Sequence, residues 1–400
     1  MKHGIFSFFS GAGFLDLGFE TTRDYKVWFT NENHQPFSQA YTHSRNNLKL
    51  TLPEYGNYSN SIEELLTQDK RYLSDLVNTT RAKVDLIGFI GGPPCPDFSI
   101  GGKNQGRHGD KGALSAAYIQ LIIEQQPDYF LFENVKGLWR TKKHREFYEE
   151  LKTTLKQHGY LTIDRVVNSL EYGAPQDRER IILLGFKESI LGDLGLKHDL
   201  NIFPWDLKKK FDIQRISSLS WPTQSSFEED SVIKKPRNIL SSLTVESWFR
   251  KNDVENHPNS IHYFQPRAGL KRFLTVNEGD DSRKSFKRLH RWRYSPTAAY
   301  GNNEVHLHPY KARRISAAEA LAIQSLPKNF MLPNDMTLSN MFKTIGNGVP
   351  YLLGRALAST IRDFLEVDYD AQPEVVSSGL STAHPTHEIE LRLLHDTQEK

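Results

Sequence analysis

The sequence predicts an α/β fold: an open, doubly wound sheet with helices between its strands, interrupted by a smaller region of irregular or β-rich structure. Three observations carry that prediction. Strand-like and helix-like stretches alternate through the first half of the 400 residues, as they do in βαβ units. The alternation breaks between about Lys187 and Ser295, where charged, Ser/Asn-rich and aromatic residues mix without a period. Regularity returns at Ser316 and runs to a last amphipathic helix.

Each element has a local signal. Gly4 to Phe9 is an apolar first strand, and Phe14 to Thr21 a first helix. Lys26 to Thr30, Val84 to Ile90 and Asp128 to Phe132 read as further buried strands. A helix near Ala113 to Gln125 separates the last two. His144 to Gln157 is helical, with Phe147, Leu151 and Leu155 on one face. Leu161 to Asn168 and Arg180 to Phe186 are strand-like. Ser316 and Glu319 can form a capping box that opens a helix over Ala317 to Ser325. Pro350 suits the first turn of a final helix carrying Leu353, Leu357, Ile361 and Phe364 on one face. Past about Asp368 the chain turns polar, and a disordered tail is expected there.

Composition narrows the class. A 38% hydrophobic and 25% charged chain is an ordinary globular one, which argues against a fibrous or wholly disordered protein. No apolar run reaches the roughly 18 residues of a membrane span, and no signal-peptide cleavage site follows Met1. One cysteine and no signal point to the cytoplasm. The net charge of +3 says little, but its distribution says more. Gln265 to Arg293 holds nine Lys/Arg against three acids, interleaved with Phe273, Phe286 and Trp292. Such a mixture suits a surface that meets phosphates; a solvated, charge-rich surface reads the same way.

Five stretches carry chemistry. Phe9-Ser10-Gly11-Ala12-Gly13 joins the first strand to the first helix through glycines. Asp16 stands where a dinucleotide loop has its third glycine, which weakens a case for NAD. S-adenosylmethionine has no pyrophosphate to seat, and a short glycine loop can admit its carboxylate and sulfonium. Glu32 follows the second strand and can accept hydrogen bonds from both ribose hydroxyls. A tight structural turn would look similar. Cys95, the lone cysteine, sits in Gly92-Pro93-Pro94-Cys95-Pro96 after a buried strand. It cannot form an intramolecular disulfide or a multi-cysteine metal site. It is either a nucleophile at the sheet's carboxyl edge or an inert buried thiol. Glu133 ends the next strand, so it can face the same pocket or merely cap a helix. Arg178 and Arg180 lie two apart and would share a face if the strand had begun, gripping an oxyanion or serving as salt-bridged punctuation. Ile345-Gly346-Asn347-Gly348 reads as a turn into the last helix.

In this order, these stretches resemble the motifs of the DNA (cytosine-5) methyltransferase family. Phe9-x-Gly11-x-Gly13, Pro94-Cys95, Glu133-Asn134-Val135, Gln176-x-Arg178-x-Arg180, Arg313-Arg314-Ile315-Ser316 with Glu319 and Gln324, and Gly346-Asn347-Gly348-Val349 carry the likeness. It covers residues 4 to 186 and about 295 to 365, and the compact chain is similar to a bacterial modification methylase of a type II restriction-modification system. The resemblance implies a Rossmann-like sheet that uses S-adenosylmethionine and yields S-adenosylhomocysteine, with no metal. It implies a catalytic domain at 1–187, a target-recognition domain at 188–310, a return segment at 311–367 and a tail at 368–400. Its cofactor contacts would be Phe9, Gly11, Gly13, Glu32, Leu114 and Asn347. Its partner would be double-stranded DNA, met by a monomer in the bacterial cytoplasm, at the nucleoid. A cognate restriction endonuclease would act on the same site. Three positions depart from the pattern: Pro96 where Gln is common, Asn33 where an aromatic is common, and Ser61 where an Asp is common.

The resemblance also implies a mechanism. Carbon 5 of cytosine is a weak nucleophile until the Cys95 thiolate adds to carbon 6. Glu133 would hydrogen-bond ring nitrogen 3, Arg178 would bind the base carbonyl and favour the thiolate, and Arg180 would orient Glu133. The target base must leave the duplex. The glycine-rich basic loop after Cys95, with Ser99, Lys103 and Arg107, would close on the DNA near phosphate. An RNA methylase would use similar chemistry; Glu133-Asn134-Val135 and the large irregular region favour DNA. A silent DNA-binding relative is disfavoured because Cys95, Glu133 and both arginines are all present.

Overall fold

Seven strands form one sheet in the order β3-β2-β1-β4-β5-β7-β6. The computed structural model describes residues 1–94, 110–195, 200–266, 270–298, 300 and 304–366. The strands are β1 (His3–Phe8), β2 (Tyr25–Asn31), β3 (Asn57–Tyr58), β4 (Leu86–Gly91), β5 (Tyr129–Val135), β6 (Tyr160–Asn168) and β7 (Glu179–Lys187). Between them run α1 (Phe14–Glu20), α2 (Gln35–Leu48), α3 (Lys70–Arg81), α4 (Asp110–Gln125), α5 (Gly137–Arg140) and α6 (Lys142–Gln157). The expected strands and helices all form, within one to three residues at most ends. Additional elements are α2, α3 and the two-residue β3.

The strands β1 to β5 pair in parallel, whereas β7 runs antiparallel between β5 and β6. This reversal positions the site. Parallel strands put their carboxyl ends on one edge, and an antiparallel neighbour puts its amino end there. The register pairs Val135 with Arg180, so the end of β5 and the start of β7 meet at that edge.

Both faces are covered. On one, Phe6, Phe8, Phe29, Phe89, Phe130 and Phe132 share a core with side chains of α3, α4 and α6. On the other lies α13 (Tyr351–Glu366), where Tyr25 donates to the Ala358 carbonyl and Phe186 packs on Phe364 at 5.1 Å. Buried parallel strands read as continuous apolar runs, and β1, β4 and most of β5 are such runs.

The middle of the chain is built differently. It holds α7 (Glu188–Asp193), α8 (Ile213–Ser218), α9 (Val245–Lys251) and α10 (Leu270–Thr275). Among the described residues between β7 and Ser316 there are only isolated bridges, so the region is irregular rather than β-rich. Buried side chains do the work of a ladder. The Arg288 guanidinium donates to the carbonyls of Phe273, Val276, His308 and Lys311. Glu278 takes Arg291 in a buried ion pair at 2.7 Å.

After it come α11 (Ala317–Ile323), α12 (Leu338–Asn347) and α13. The capping box forms: Ser316 Oγ accepts from the Glu319 amide, and Glu319 accepts from the Ser316 amide at 2.7 Å. The glycine stretch expected as a turn is instead the end of α12, a helix the sequence reading missed. Gly346 and Asn347 lie in its last turn, and Gly348 caps it. Residues 1–367 form one compact unit, and a single core joins Phe14 and Leu17 to Trp248, Leu289, Leu321 and Phe342. The expected division at 187, 310 and 367 is thus one of role, and the expected tail lies outside the described residues.

The helices α1 and α13 cross with no room to spare. A Cβ on Gly18 would lie 2.6 Å from the backbone of Gly354 and Arg355. Gly18→Ala is therefore expected to cost about 1–3 kcal/mol through overpacking. Thermal unfolding would show it as a lowered Tm, and an unchanged Tm would mean that the two helices part freely.

Candidate active site

One open cleft of about 2920 Å³ runs along the carboxyl edge of the sheet. It collects Phe9 and Gly11 after β1, Glu32 after β2, Pro94 after β4, Glu133 at the end of β5 and Arg180 at the start of β7. Leu114 of α4 and Asn347 of α12 also line it. Cys95, Ser99, Lys103 and Arg107 fall outside the described residues, as does the loop that carries them.

The glycine loop takes a conformation that explains its composition. Phe9, Gly11 and Gly13 all have positive φ, at 54°, 56° and 81°. Gly13 could not carry a side chain, since its Cβ would sit 2.6 Å from the Tyr41 ring. The Glu32 carboxylate closes the loop from the side: Oε2 accepts from the Gly11 amide at 3.0 Å and Oε1 from the His34 amide at 2.8 Å. Burial pushes this carboxyl up, against those two amides. Each oxygen keeps a lone pair for a further donor. Asn33 and Ser61, the departures from the family pattern, line the same part of the cleft.

Behind the loop lies a polar network that the sequence reading did not single out. Asp16 is fully buried and accepts from Ser7 Oγ at 2.7 Å and Tyr41 Oη at 3.0 Å. Burial pushes its carboxyl up to about 6. Arg45 donates to Tyr41 Oη at 2.9 Å and pairs with Glu20. Two hydroxyls at the loop stay unused: among the described residues Ser10 Oγ and Thr344 Oγ1 have no hydrogen-bond partner, and both residues line the cleft. Unsatisfied hydroxyls, a glycine loop and a carboxylate with spare acceptor capacity fit a ligand with a charged amino-acid end and a ribose.

The catalytic candidates meet at the middle of the edge. Glu133 is buried, with Oε1 paired to Arg180 Nε at 2.9 Å. Gly92 makes room for this carboxylate, because a Cβ there would lie 2.8 Å from Glu133 Oε2. Asn134 bolts the loop before Cys95 to β5, with Nδ2 donating to the Pro93 carbonyl at 3.4 Å.

Arg178 and Arg180 have different partners. The strand begins at Glu179, so the alternation argument does not reach back to Arg178. Arg178 is buried, and it donates to the carbonyls of Gly346 at 2.9 Å and Ala298 at 3.4 Å. Burial pushes this guanidinium down, and the Arg180 charge adds to the effect. Gln176, also buried, accepts from the Ala298 amide at 2.9 Å and donates to Gln324 Oε1 at 3.2 Å. The glutamines belong to quoted motifs, but only the coordinates show that they join three distant segments.

Known proteins resemble this chain in sequence and in fold. The family profile of the C-5 cytosine-specific DNA methylases matches residues 4–363. The type II methyltransferase M.NmeDI of Neisseria meningitidis serogroup C is 54% identical over 367 residues, 92% of this chain and 85% of that protein. M.MthTI of Methanothermobacter thermautotrophicus, another type II methyltransferase, is 29% identical over 377 residues, covering 92% and 99%. In three dimensions the chain resembles a prophage-encoded E. coli DNA modification methyltransferase, with a TM-score of 0.61 at 20% identity, covering 91% and 99%. It also resembles the S. pombe Dnmt2 methyltransferase, with a TM-score of 0.57 at 13% identity and the same coverage. At those identities the structures speak for the fold alone, whereas the profile and the 54% relative speak for the reaction. The chain belongs to the C-5 cytosine-specific DNA methylase family, as a DNA (cytosine-5) methyltransferase of the bacterial type II modification kind.

Proposed function

We propose that this chain moves a methyl group from S-adenosylmethionine to carbon 5 of a cytosine flipped out of a specific duplex site, through a transient Cys95 adduct. The observation that carries this reading is a convergence in one cleft. The Glu133–Arg180 pair stands beside Pro94, the residue before Cys95, and along the same edge from the Gly11–Glu32 loop.

The residues present fit the methyl donor. Glu32 would hold the ribose hydroxyls, with Phe9, Leu114 and Asn347 around the loop and Gly11 giving backbone approach, while Gly13, which does not line the cleft, shapes the turn against Tyr41. Bound there, the sulfonium supplies an electrophilic methyl group. The protein's own residues do the rest. The Cys95 thiolate adds to carbon 6, which makes carbon 5 enamine-like and nucleophilic. Glu133 hydrogen-bonds ring nitrogen 3, and Arg180 fixes that carboxyl in place. After methyl transfer, a base removes the carbon 5 proton and elimination returns the sulfur. Arg178 lines the cleft while holding the Gly346 and Ala298 carbonyls, and its Nε, without a hydrogen-bond partner among the described residues, would meet the base carbonyl.

Duplex sequence would be read from the 188–310 region, whose Tyr263, Gln265, Arg272 and Lys287 line the far side of the cleft. A monomer suffices, since every proposed group comes from one chain. The setting is the bacterial cytoplasm, and the mark would shield host DNA from an endonuclease that cuts the same site.

Two outcomes test this. Bisulfite sequencing of plasmid from cells expressing the chain should show methylcytosine at one recurrent sequence, and Cys95→Ala should abolish it. The same variant should lose covalent capture on duplex DNA bearing 5-fluorocytosine, which lacks the carbon 5 proton. Capture that survives the substitution sinks the mechanism. Gly92→Ala should push the Glu133 carboxylate aside and lower turnover about a hundredfold, while Tm stays near that of the parent. Full turnover in that variant would mean that the carboxylate position does not matter.

A further inference from the structure

The ten residues from Lys136 to Arg145, which follow Glu133-Asn134-Val135 directly, hold five Lys/Arg and no acid. Two of the five have local duties. Lys136 pairs with Glu179 at 2.6 Å, and Arg145 lies over the Trp139 ring at 4.1 Å. Arg140, Lys142 and Lys143 are exposed, and among the described residues their side chains have no acidic partner. Further along α6, by contrast, Lys152 takes both Asp164 at 2.7 Å and Glu149 at 3.5 Å.

Two of the unpaired three, Lys142 and Lys143, are also badly placed for helix stability. The first turn of α6 has lysines and no acid, although the positive end of the helix dipole favours acids there. The segment is nonetheless anchored, because Leu138 and His144 are buried. A fixed, self-repelling cluster of cations is a surface kept for an anion. Its position says which one. Lys136, Gly137, Arg140 and Thr141 line the same cleft as Glu133, while Arg272 and Lys287 line it from the irregular region. The cleft thus has basic groups on two walls, with the catalytic pair between them.

We propose that Arg140, which lines the cleft, together with Lys142 and Lys143, which adjoin that lining in the chain, forms a sequence-independent seat for the DNA backbone at the edge of the catalytic wall, near the flipped base. The proposal rests on the reading of the chain as a duplex-DNA methylase. Contacts of this kind set register and add affinity without reading bases. Neutralising a phosphate releases a condensed counterion, so each true contact steepens the salt dependence of binding by a fixed step.

The test is duplex binding by full-length chain across about 50 to 200 mM salt, by fluorescence anisotropy, with Arg140→Ala, Lys142→Ala, Lys143→Ala and the triple variant. The log–log salt slope should become shallower by roughly 0.9 per contact removed. Affinity for duplexes with and without the methylated site should fall by the same factor. Arg71→Ala, an exposed arginine of α3 away from the cleft, should leave the slope unchanged. An unchanged slope in the triple variant overturns the proposal, as does a loss confined to the target duplex, which would make these residues base readers. Wild-type chain that methylates DNA while the triple variant keeps its slope ends this proposal alone. Wild-type chain that binds duplex with the expected slopes yet methylates nothing ends the functional reading alone.

Discussion

The Gln176–Arg178 knot holds together a chain that leaves its sheet for a long excursion. The backbone departs at Lys187 and rejoins the sheet's helical cover only after Ser316. Strand pairing contributes one isolated bridge, Gln176 with Ser295, to fixing where it returns. Gln176 and Arg178, both buried, bind Ala298 of the excursion, Gln324 after α11 and Gly346 at the end of α12. Backbone bonds reinforce them: the Asp177 amide donates to the Ser295 carbonyl and the Ser295 amide to the Pro175 carbonyl, each at 2.8 Å. Two residues further on, Arg180 holds Glu133. Glu133, the end of α12 at Gly346 and the segment from Ser295 to Ala298 are therefore all held by the short stretch from Gln176 to Arg180. Such a network is costly when broken, because every partner is left desolvated.

The excursion repeats the device. Lacking a ladder, it satisfies its backbone with side chains, and the buried Arg288 alone serves four carbonyls. Glu319 joins it to the return segment. That carboxylate is buried, yet the neighbouring His308 and the hydrogen-bonded Arg313 guanidinium overcome desolvation and hold it well below the usual range. Its folded-state pKa is depressed, so the stability it adds is present above the ordinary Glu value and is lost as pH falls toward the depressed one. Polar hubs of this kind specify one arrangement where an apolar cluster would tolerate several.

These differences in construction explain what could be read from the sequence. The sheet was legible because buried strands are apolar runs punctuated by Gly and Pro, as at Leu86–Gly91 followed by Gly92-Pro93-Pro94. The site's edge was legible for the same reason: strand ends are where the motifs sit. The helix α12 was not, because Gly346 and Gly348 look like a turn when the helix before them is only ten residues long. The part played by Arg178 was hidden, since its partners are carbonyls 120 and 168 residues away and carbonyls leave no mark on a sequence. The basic stretch at 136–145 was legible in principle. It is shorter than the basic run at 265–293, and only burial of Leu138 and His144 shows that it is anchored.

The glycine loop is held from two sides. Phe14 opens α1, and its ring needs space. Gly348 provides it: a Cβ at that position would lie 2.2 Å from the Phe14 ring. The loop and the end of α12 thus close on each other. On the far side, the Ser7–Asp16–Tyr41–Arg45 network fixes the first turn of α1 by hydrogen bonds rather than by packing. A loop gripped from both sides keeps Gly11 and Glu32 in register without a ligand, and a pocket organised in advance spends less of its binding energy on ordering itself.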